Sequence, residues 1–179
     1  MEFLKATTED IKAVSDIYDA VRNSRFCVWS ERYPTEEHAL QDMKAGCLYV
    51  LKEKETVIAC ASVEPIAEDD DLPFWQINDG THREISRVAV APAYQGRRLA
   101  RKIVGMLLEE LKQNGISSIH LLAAKNNPTA FRTYLALGFD VIGECHRYGA
   151  DYFVCEKILT ERGSYEVNRY EYDRKRYDF

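Results

Sequence analysis

Apolar and polar residues follow two different periods along this chain, and together they predict a mixture of helices and strands. In segments 11–21 and 97–114 apolar positions recur at helical spacing, and charged residues occupy the opposite side in the second. Shorter, largely apolar runs predict strands, because a strand covered on both faces is apolar along most of its length. The predicted strands are 3–6, 47–51, 56–63, 85–91, 116–124, 139–144 and 151–159.

Residues that favour helix ends mark the boundaries of further helices. Pro34 opens a helix that ends at Gly46, and Asn127 followed by Pro128 is a typical helix start. Gly138 ends the helix that Asn127 begins, because glycine readily adopts the left-handed conformation found after a helix C-terminus. The predicted order of elements is β-α-α-β-β-β-α-β-α-β-β. The connections include an ordered loop at 23–33 and an irregular segment at 65–81.

Composition limits the class of protein only broadly. With 179 residues, of which 46% are hydrophobic and 30% charged, the chain fits one globular domain, placed at 1–159, followed by a charged, tyrosine-rich tail at 160–179. The net charge of −5 gives no general attraction to nucleic acid or anionic membranes, and no apolar run reaches the roughly 18 residues of a membrane span. The five cysteines lack C-x-x-C pairing, which predicts free thiols in a reducing cytoplasm and no metal site.

Two motifs occupy the second half of the chain. Gln95-Gly96-Arg97-Arg98-Leu99-Ala100 opens the helix at 97–114, shortly after Pro92 ends a strand. Asn127, Ala130 and Tyr134 mark the next helix, which Gly138-Phe139 closes. In this order the motifs resemble the core of the GNAT superfamily, the acetyl-CoA-dependent N-acyltransferases, whose signature Gln/Arg-x-x-Gly-x-Gly/Ala begins the first of these helices.

The resemblance implies both a fold and an activity. The implied fold is α/β (α+β), with a mixed, twisted central sheet flanked by about four helices and a strand at 85–91 that splays away from the strand at 116–124. The implied activity transfers an acetyl group from acetyl-CoA to an amine of a small molecule, amino acid or peptide by direct attack on the thioester. A coenzyme A-binding sensor without turnover is the alternative that the sequence leaves open.

The start of the helix at 97–114 suits the pyrophosphate of coenzyme A. A helix N-terminus presents unpaired N–H groups and the positive end of the peptide dipoles, and arginines in this turn favour an external anion. A basic turn that is merely solvated is the alternative. The resemblance implies cofactor contacts from the splayed strand (Val88, Ala89, Val90), from the motif and its first turn (Gln95, Gly96, Arg97, Arg98, Leu99, Ala100, Arg101) and from Asn127.

Arg98 departs from the family's signature, which has glycine at this position. Glycine lets the backbone approach phosphates with no Cβ in the way. We expect Arg98 to adopt a helical φ, so that the turn survives. The sequence leaves open whether its side chain points outwards or lies across the phosphates.

The proposed chemistry needs a proton acceptor for the amine and a proton donor for the thiolate. An amine of pKa about 10.4 is neutral in roughly one molecule in a thousand near pH 7, so a general base helps. By position the resemblance assigns the base to Glu84, for which an exposed strand-end carboxylate is the alternative. It assigns the acid to Tyr134, for which packing on the inner face of its helix is the alternative, and the backbone N–H near Val88 would stabilise the oxyanion.

The acceptor is expected in a groove framed by residues 26–33 and by the loop at 68–75. The acidic run in this loop would attract a polyamine or a basic peptide, although such runs are commonly solvated. His82 could share the face of Glu84 or replace it as base, although a surface position is usual for a histidine at a strand entry. The expected partner is therefore a small-molecule or peptide amine, with no nucleic acid and no membrane, and a homodimer stays open.

Overall fold

A seven-stranded sheet flanked by helices forms the centre of the protein, whose computed structural model describes residues 1–65 and 68–160. Short 3-10 turns lie at Thr8–Asp10, Glu68–Asp71 and Pro92–Tyr94. The main elements are β1 (Glu2–Lys5), α1 (Ile11–Arg22), α2 (Glu36–Lys44), β2 (Leu48–Glu53), β3 (Thr56–Glu64), β4 (His82–Val90), α3 (Leu99–Gln113), β5 (Ser118–Ala124), α4 (Pro128–Ala136), β6 (Asp140–Arg147) and β7 (Ala150–Ile158).

The observed elements follow the predicted order, and the fold class is confirmed. The strands lie in the order β1-β2-β3-β4-β5-β7-β6, and among the neighbouring pairs of these described strands β4 with β5 is the one parallel pair. The largest difference in a strand start is at β4, which begins at His82 rather than Ile85. The predicted tail at 160–179 lies outside the described residues after position 160.

The helices cover the two faces of the sheet and bury its apolar residues. On one face α3 and α4 pack on the sheet through fully or nearly fully buried residues such as Ile103, Leu107 and Phe131. On the other face α1 and α2 pack through residues such as Val14 and Tyr18. No helix within 1–65 and 68–160 combines the length and the apolar composition that crossing a membrane requires.

The sheet opens between β4 and β5, as predicted. These two strands pair at His82–Ser118, Arg83–Ile119 and Glu84–His120 only. Beyond Glu84 the other side of β4 stays paired with β3 as far as Val90. The backbone of β4 from about Ile85 to Val90 therefore faces a V-shaped opening on its β5 side.

The end of α4 has the predicted glycine stop. Gly138 has a φ of +81°, and the N–H of Phe139 donates to the carbonyl oxygen of Tyr134 at 3.1 Å. The ring of Phe139 meets that of Tyr134 edge-on, with centroids 5.9 Å apart. This hydrophobic contact accompanies the stop and fixes Tyr134 on the inner side of its helix.

Candidate active site

A β-bulge interrupts β4 beside the opening. Cys60 pairs with Ala89 but Ser62 pairs with Ser86, so β4 carries one more residue than β3 over this stretch. Arg87 lies in the bulge with a φ of +49°, a left-handed conformation that is uncommon for residues other than glycine. Such a residue costs of order 1–3 kcal/mol and is found preferentially at functional sites. Bulges bend a strand and redirect its side chains, which is how β4 can leave β5 here.

The loop before α3 presents free backbone to solvent. The side-chain amide of Gln95 donates to the carbonyl of Val90 at 3.1 Å and so ties this loop to the end of β4. Gly96 has a φ of +78°, and apart from Gly96 itself and its two chain neighbours no heavy atom of the described residues lies within 4 Å of the position that a Cβ would occupy. The N–H of Lys102 donates to the carbonyl of Arg98 at 3.1 Å. The N–H groups of α3 before Lys102 come too early in the helix to have a helical partner. This geometry suits an anion.

The expected helical φ of Arg98 is wrong. Arg98 lies at φ 58° and ψ 27°, in the left-handed region, because it is the last residue before α3 begins at Leu99 and the chain turns there. Glycine adopts this conformation without steric cost, which gives a physical reason for the glycine in the family's signature. Arginine preserves the turn, but at a cost in stability.

Replacing Arg98 by glycine is expected to stabilise the protein by about 0.5–1 kcal/mol. Glycine avoids the cost of about 1–2 kcal/mol that arginine has in the left-handed conformation. Part of this gain is lost, because glycine loses more conformational entropy on folding than arginine does. Chemical denaturation measures it. Lys102→Gly, inside the first turn of α3, is the matched control and should destabilise by about 1 kcal/mol. Equal destabilisation by both substitutions would contradict the left-handed conformation of Arg98.

The other predicted anion-binding residues differ in what their side chains can do. Arg97 is half-exposed, with its guanidinium 3.8 Å from the carboxylate of Glu53 and 5.1 Å from the ring centre of Tyr94. Arg101 donates to the carbonyl of Ala136 at 3.3 Å and so links α3 to the end of α4. Leu99 is buried in the core, so only its backbone can face a ligand.

Asn127 and Tyr134 occupy the first and last parts of α4. The side-chain oxygen of Asn127 accepts a hydrogen bond from the N–H of Ala130 at 3.0 Å, which is the predicted helix cap. Tyr134 is half-buried and packs against the core formed with α3. Burial raises the pKa of the Tyr134 phenol, so this group keeps its proton throughout the neutral range.

The strand register places four ionisable residues side by side across the sheet. Glu64 on β3 pairs with Glu84 on β4, Glu84 pairs with His120 on β5, and His120 pairs with Glu156 on β7. Like charges directly opposite each other destabilise a sheet, so the Glu64–Glu84 pair disfavours ionisation of both carboxyls at once. We call these four residues the ionisable row, and it crosses the sheet at the point where β4 and β5 diverge.

Glu84 holds its proton more tightly than an ordinary glutamate. Burial raises the pKa of its carboxyl well above the usual value, and the nearby carboxylates of Asp69, Glu64 and Asp70 add to this effect. The positive charge of Arg87 opposes the rise. A perturbed carboxyl in a cleft of this kind is a candidate acid or base.

Two histidines lie next to Glu84 in a buried stack. His82 is only 4% exposed, so the usual surface position does not apply to it. The ring of His120 lies 4.5 Å from that of His82 and 3.9 Å from the indole of Trp75, nearly parallel to both. One nitrogen of His82 lies 3.2 Å from Asp70, and one nitrogen of His120 lies 2.9 Å from the carbonyl of Ile77. The stack therefore attaches the loop after β3 to β4 and β5.

A metal would not fit this stack as it stands. Asp70, His82 and His120 bring three donor atoms within 4.8 Å of one another. An imidazole binds a metal in the plane of its ring, and the two stacked rings are only 10° from parallel, so one ion cannot lie in both planes. The arrangement is a hydrogen-bonded stack, and the expected absence of a metal site stays a prediction.

Glu156 anchors the same loop from the end of the ionisable row. Burial opposes ionisation of this carboxyl, but hydrogen bonds from His120, Gln76 and Ser118 outweigh it and lower the pKa. The N–H groups of Gln76 and Ile77 donate to it at 2.9 and 3.1 Å, and the hydroxyl of Ser118 at 2.7 Å. Glu156 is thus a structural residue that holds the loop containing Gln76 and Ile77 against β5 and β7.

The expected frame of the acceptor groove meets the ionisable row from both sides. From residues 26–33, the ring of Tyr33 lies 5.2 Å from the guanidinium of Arg87. From the loop at 68–75, Trp75 stacks on His120. Arg87 also binds the carboxylate of Glu64, its neighbour on β3.

Comparison with known proteins identifies the class to which this fold and opening belong. A sequence model of the acetyltransferase (GNAT) family matches residues 14–139, and the chain belongs to this family. An acetyltransferase of Salmonella typhimurium, solved with its cofactor acetyl-CoA, has the same fold, with a TM-score of 0.72, 24% identity, and coverage of 93% of this chain and 98% of that one. The PaiA N-acetyltransferase of Thermoplasma acidophilum, in complex with coenzyme A, gives a TM-score of 0.68 at 18% identity over 88% and 98% of the two chains.

Three curated relatives match at 25–37% identity, two of them over less than half of this chain. The L-methionine sulfoximine/L-methionine sulfone acetyltransferase of Salmonella typhimurium is 25% identical over 153 residues, which are 82% of this chain and 84% of the relative. An uncharacterised protein of Mycobacterium leprae is 36% identical over 78 residues, 41% of this chain and 21% of that protein. The mycothiol acetyltransferase of Brachybacterium faecium is 37% identical over 60 residues, 34% of this chain and 18% of that protein. The chain therefore spans about a fifth of the length of the latter two.

Proposed function

We propose that this chain is an N-acetyltransferase that moves an acetyl group from acetyl-CoA to an amine of a small molecule, amino acid or peptide by direct attack on the thioester. The observation that carries the proposal is the opening between β4 and β5, with a helix start suited to an anion at one end and Glu84 at its apex. Membership of the acetyltransferase (GNAT) family and the fold shared with an acetyl-CoA complex support it.

The backbone around the opening fits a long cofactor with a charged head. The first N–H groups of α3 and the half-exposed Arg97 would receive the pyrophosphate. The unpaired side of β4 at Val88, Ala89 and Val90 would hydrogen-bond the pantetheine arm, since β5 does not occupy it. When bound, acetyl-CoA supplies an activated acetyl thioester.

Two side chains would move protons. Glu84 would take the proton of the acceptor ammonium, and its raised pKa brings its basicity closer to that of an amine, which makes the transfer less uphill. Tyr134 would donate a hydrogen bond or a proton to the departing sulfur from its buried, protonated phenol. A backbone N–H near Val88 would stabilise the negative oxygen.

A coenzyme A sensor without turnover is the second candidate, because Arg98 replaces a glycine of the signature in a left-handed turn. An acceptor screen that follows free thiol released from acetyl-CoA separates the two functions. The relative named for L-methionine sulfoximine and L-methionine sulfone makes amino acids the first acceptors to test. Acetyl-CoA binding without thiol release for any amine would favour the sensor.

Replacing Arg97 by glutamate is expected to weaken acetyl-CoA binding by about 1–3 kcal/mol, the range for hydrogen bonds to charged groups. The substitution removes a cation at the start of α3 and places two carboxylates together, since Arg97 lies beside Glu53. Calorimetry measures the affinity. Lys112→Glu, at the other end of α3, is the matched control and should leave binding within about twofold. Equal affinities for both variants would argue against a pyrophosphate at this helix start.

A further inference from the structure

A buried arginine beside Glu84 has a hydrogen-bond donor that the protein does not use. The side chain of Arg87 is 10% exposed, and its Nη1 binds Glu64 and lies 3.2 Å from the carboxylate of Asp42. Within the described part of the chain its Nε, which is buried, has no hydrogen-bond partner. Buried donors are nearly always satisfied, so an unsatisfied one three residues from Glu84 calls for a partner, which an acceptor atom of a ligand can supply.

The position of Arg87 places this donor on the acceptor side of the opening. Arg87 follows Glu84 by three residues on β4, and the bulge with its φ of +49° sets the direction of its side chain. The ring of Tyr33 covers the guanidinium from the loop expected to frame the acceptor. The charge of Arg87 also acts on the carboxyl of Glu84.

The charge of Arg87 is already compensated. Asp42 and Glu64 place two carboxylates on one guanidinium, and hydroxyl groups of Ser62 and Ser86 donate to these carboxylates at 2.6 Å each. The site therefore offers a hydrogen-bond donor without a spare positive charge. A ligand carboxylate would meet the repulsion of both acids, whereas a neutral carbonyl oxygen would accept the hydrogen bond without it.

We propose that Arg87, held between Asp42 and Glu64, selects acceptors in which a neutral amide carbonyl lies next to the amine that is acetylated. Such an α-amino amide is present in an amino-acid amide and at the amino terminus of a peptide, and it is absent from a free amino acid. The inference rests on the proposed function of the same site and names its substrate class.

The experiment compares L-alaninamide with L-alanine, which differ only in amide against carboxylate. With saturating acetyl-CoA, thiol release gives kcat/KM for each acceptor, expressed per neutral amine. We expect alaninamide to be preferred by about 10-fold or more, because like charges across an interface are strongly disfavoured. A trialanine amide distinguishes the two kinds of acceptor that contain an α-amino amide. A higher kcat/KM for trialanine amide than for alaninamide indicates the amino terminus of a peptide, and a lower one indicates a small amino-acid amide. Preference for alanine would overturn the proposal.

Asp42→Asn tests the charge compensation directly. This substitution removes one of the two carboxylates on Arg87 and so weakens the repulsion of a ligand carboxylate, and the ratio of kcat/KM for alaninamide over alanine should fall about 10-fold relative to the unmodified protein. The different basicities of the two amines cancel in this comparison. Asp16→Asn, on the exposed side of α1, is the matched control and should leave the ratio unchanged. If Asp42→Asn does not fold, Glu64→Gln makes the same test, and an unchanged ratio in the folded variant would overturn the proposal.

Binding separates failure of the inference from failure of the proposed function. If none of the three acceptors releases thiol, calorimetry of alaninamide and alanine with the coenzyme A-loaded protein gives the preference without turnover. Tighter binding of alaninamide, lost in Asp42→Asn, would support the selection by Arg87 while the acetyltransferase proposal fails. Equal binding, or no binding of either compound, would overturn the selection as well.

Discussion

Replacing Tyr134 by phenylalanine is expected to lower kcat by about 10²- to 10⁴-fold, the usual contribution of a general acid. The affinity for acetyl-CoA should stay nearly unchanged, because the substitution deletes one hydroxyl and keeps the ring. That ring meets Phe139 edge-on at 5.9 Å and packs against the core formed with α3. Burial raises the pKa of the phenol, so the hydroxyl remains available as a donor at neutral pH.

The measurement is steady-state kinetics on an identified acceptor, combined with calorimetry of acetyl-CoA binding. Tyr152→Phe removes a hydroxyl from a buried tyrosine on β7 and is the matched control, expected to leave kcat within about twofold. Tyr134→Ala should lower stability through lost packing. A kinetically silent Tyr134→Phe, together with a damaging Tyr134→Ala, would make Tyr134 a packing residue, and the thiolate would then take its proton from solvent.

The elements that the sequence predicted well are those specified by local rules. The cap at Asn127 and the stop at Gly138 depend on residues a few positions apart, and both occur where the sequence placed them. The amphipathic pattern of α3 likewise gives a helix whose apolar side is buried. The opening between β4 and β5 could be predicted only through the family resemblance, because strand pairing depends on residues far apart in the chain.

The features that the sequence did not reveal depend on backbone conformation or on register. The left-handed φ of Arg98 and the bulge at Arg87 are imposed by neighbouring elements, and arginine itself gives no local signal for either. The start of β4 at His82 was missed because His82, Arg83 and Glu84 are polar, yet these are the residues that pair with β5.

The ionisable row shows most clearly why the site could be predicted only in part. Glu84 could be assigned from the family, but its partners Glu64 and His120 lie on other strands and become neighbours only through the sheet order. His120 had one weak signal, a single imidazole within a mostly apolar strand. Its burial under Trp75 follows from the path of the loop at 68–79, which no periodic pattern describes.

Replacing Glu84 by glutamine is expected to lower kcat by about 10²- to 10⁴-fold, because the amide cannot accept the proton of the acceptor ammonium. In the unmodified protein, kcat/KM should rise with pH as Glu84 loses its proton, with a midpoint above the ordinary glutamate pKa of about 4.3, since burial and Asp69, Glu64 and Asp70 raise the pKa. This rise should be absent in Glu84→Gln, whose kcat/KM should change with pH only as the acceptor amine loses its proton. Glu144→Gln, at an exposed position on β6, is the matched control.

Stability provides a second and independent readout of Glu84. Because the pKa of Glu84 is higher in the folded state than in the unfolded state, the folded protein loses stability as the pH rises from the unfolded value of about 4.3 towards the raised folded value. Glu84→Gln removes this loss, so the variant should be more stable than the unmodified protein at about pH 8, and this advantage should shrink at about pH 4. Denaturant unfolding at the two pH values measures the difference. A variant with nearly full kcat and no pH-dependent gain in stability would reduce Glu84 to an ordinary strand-end carboxylate, and the base would have to be water or a neighbour in the ionisable row.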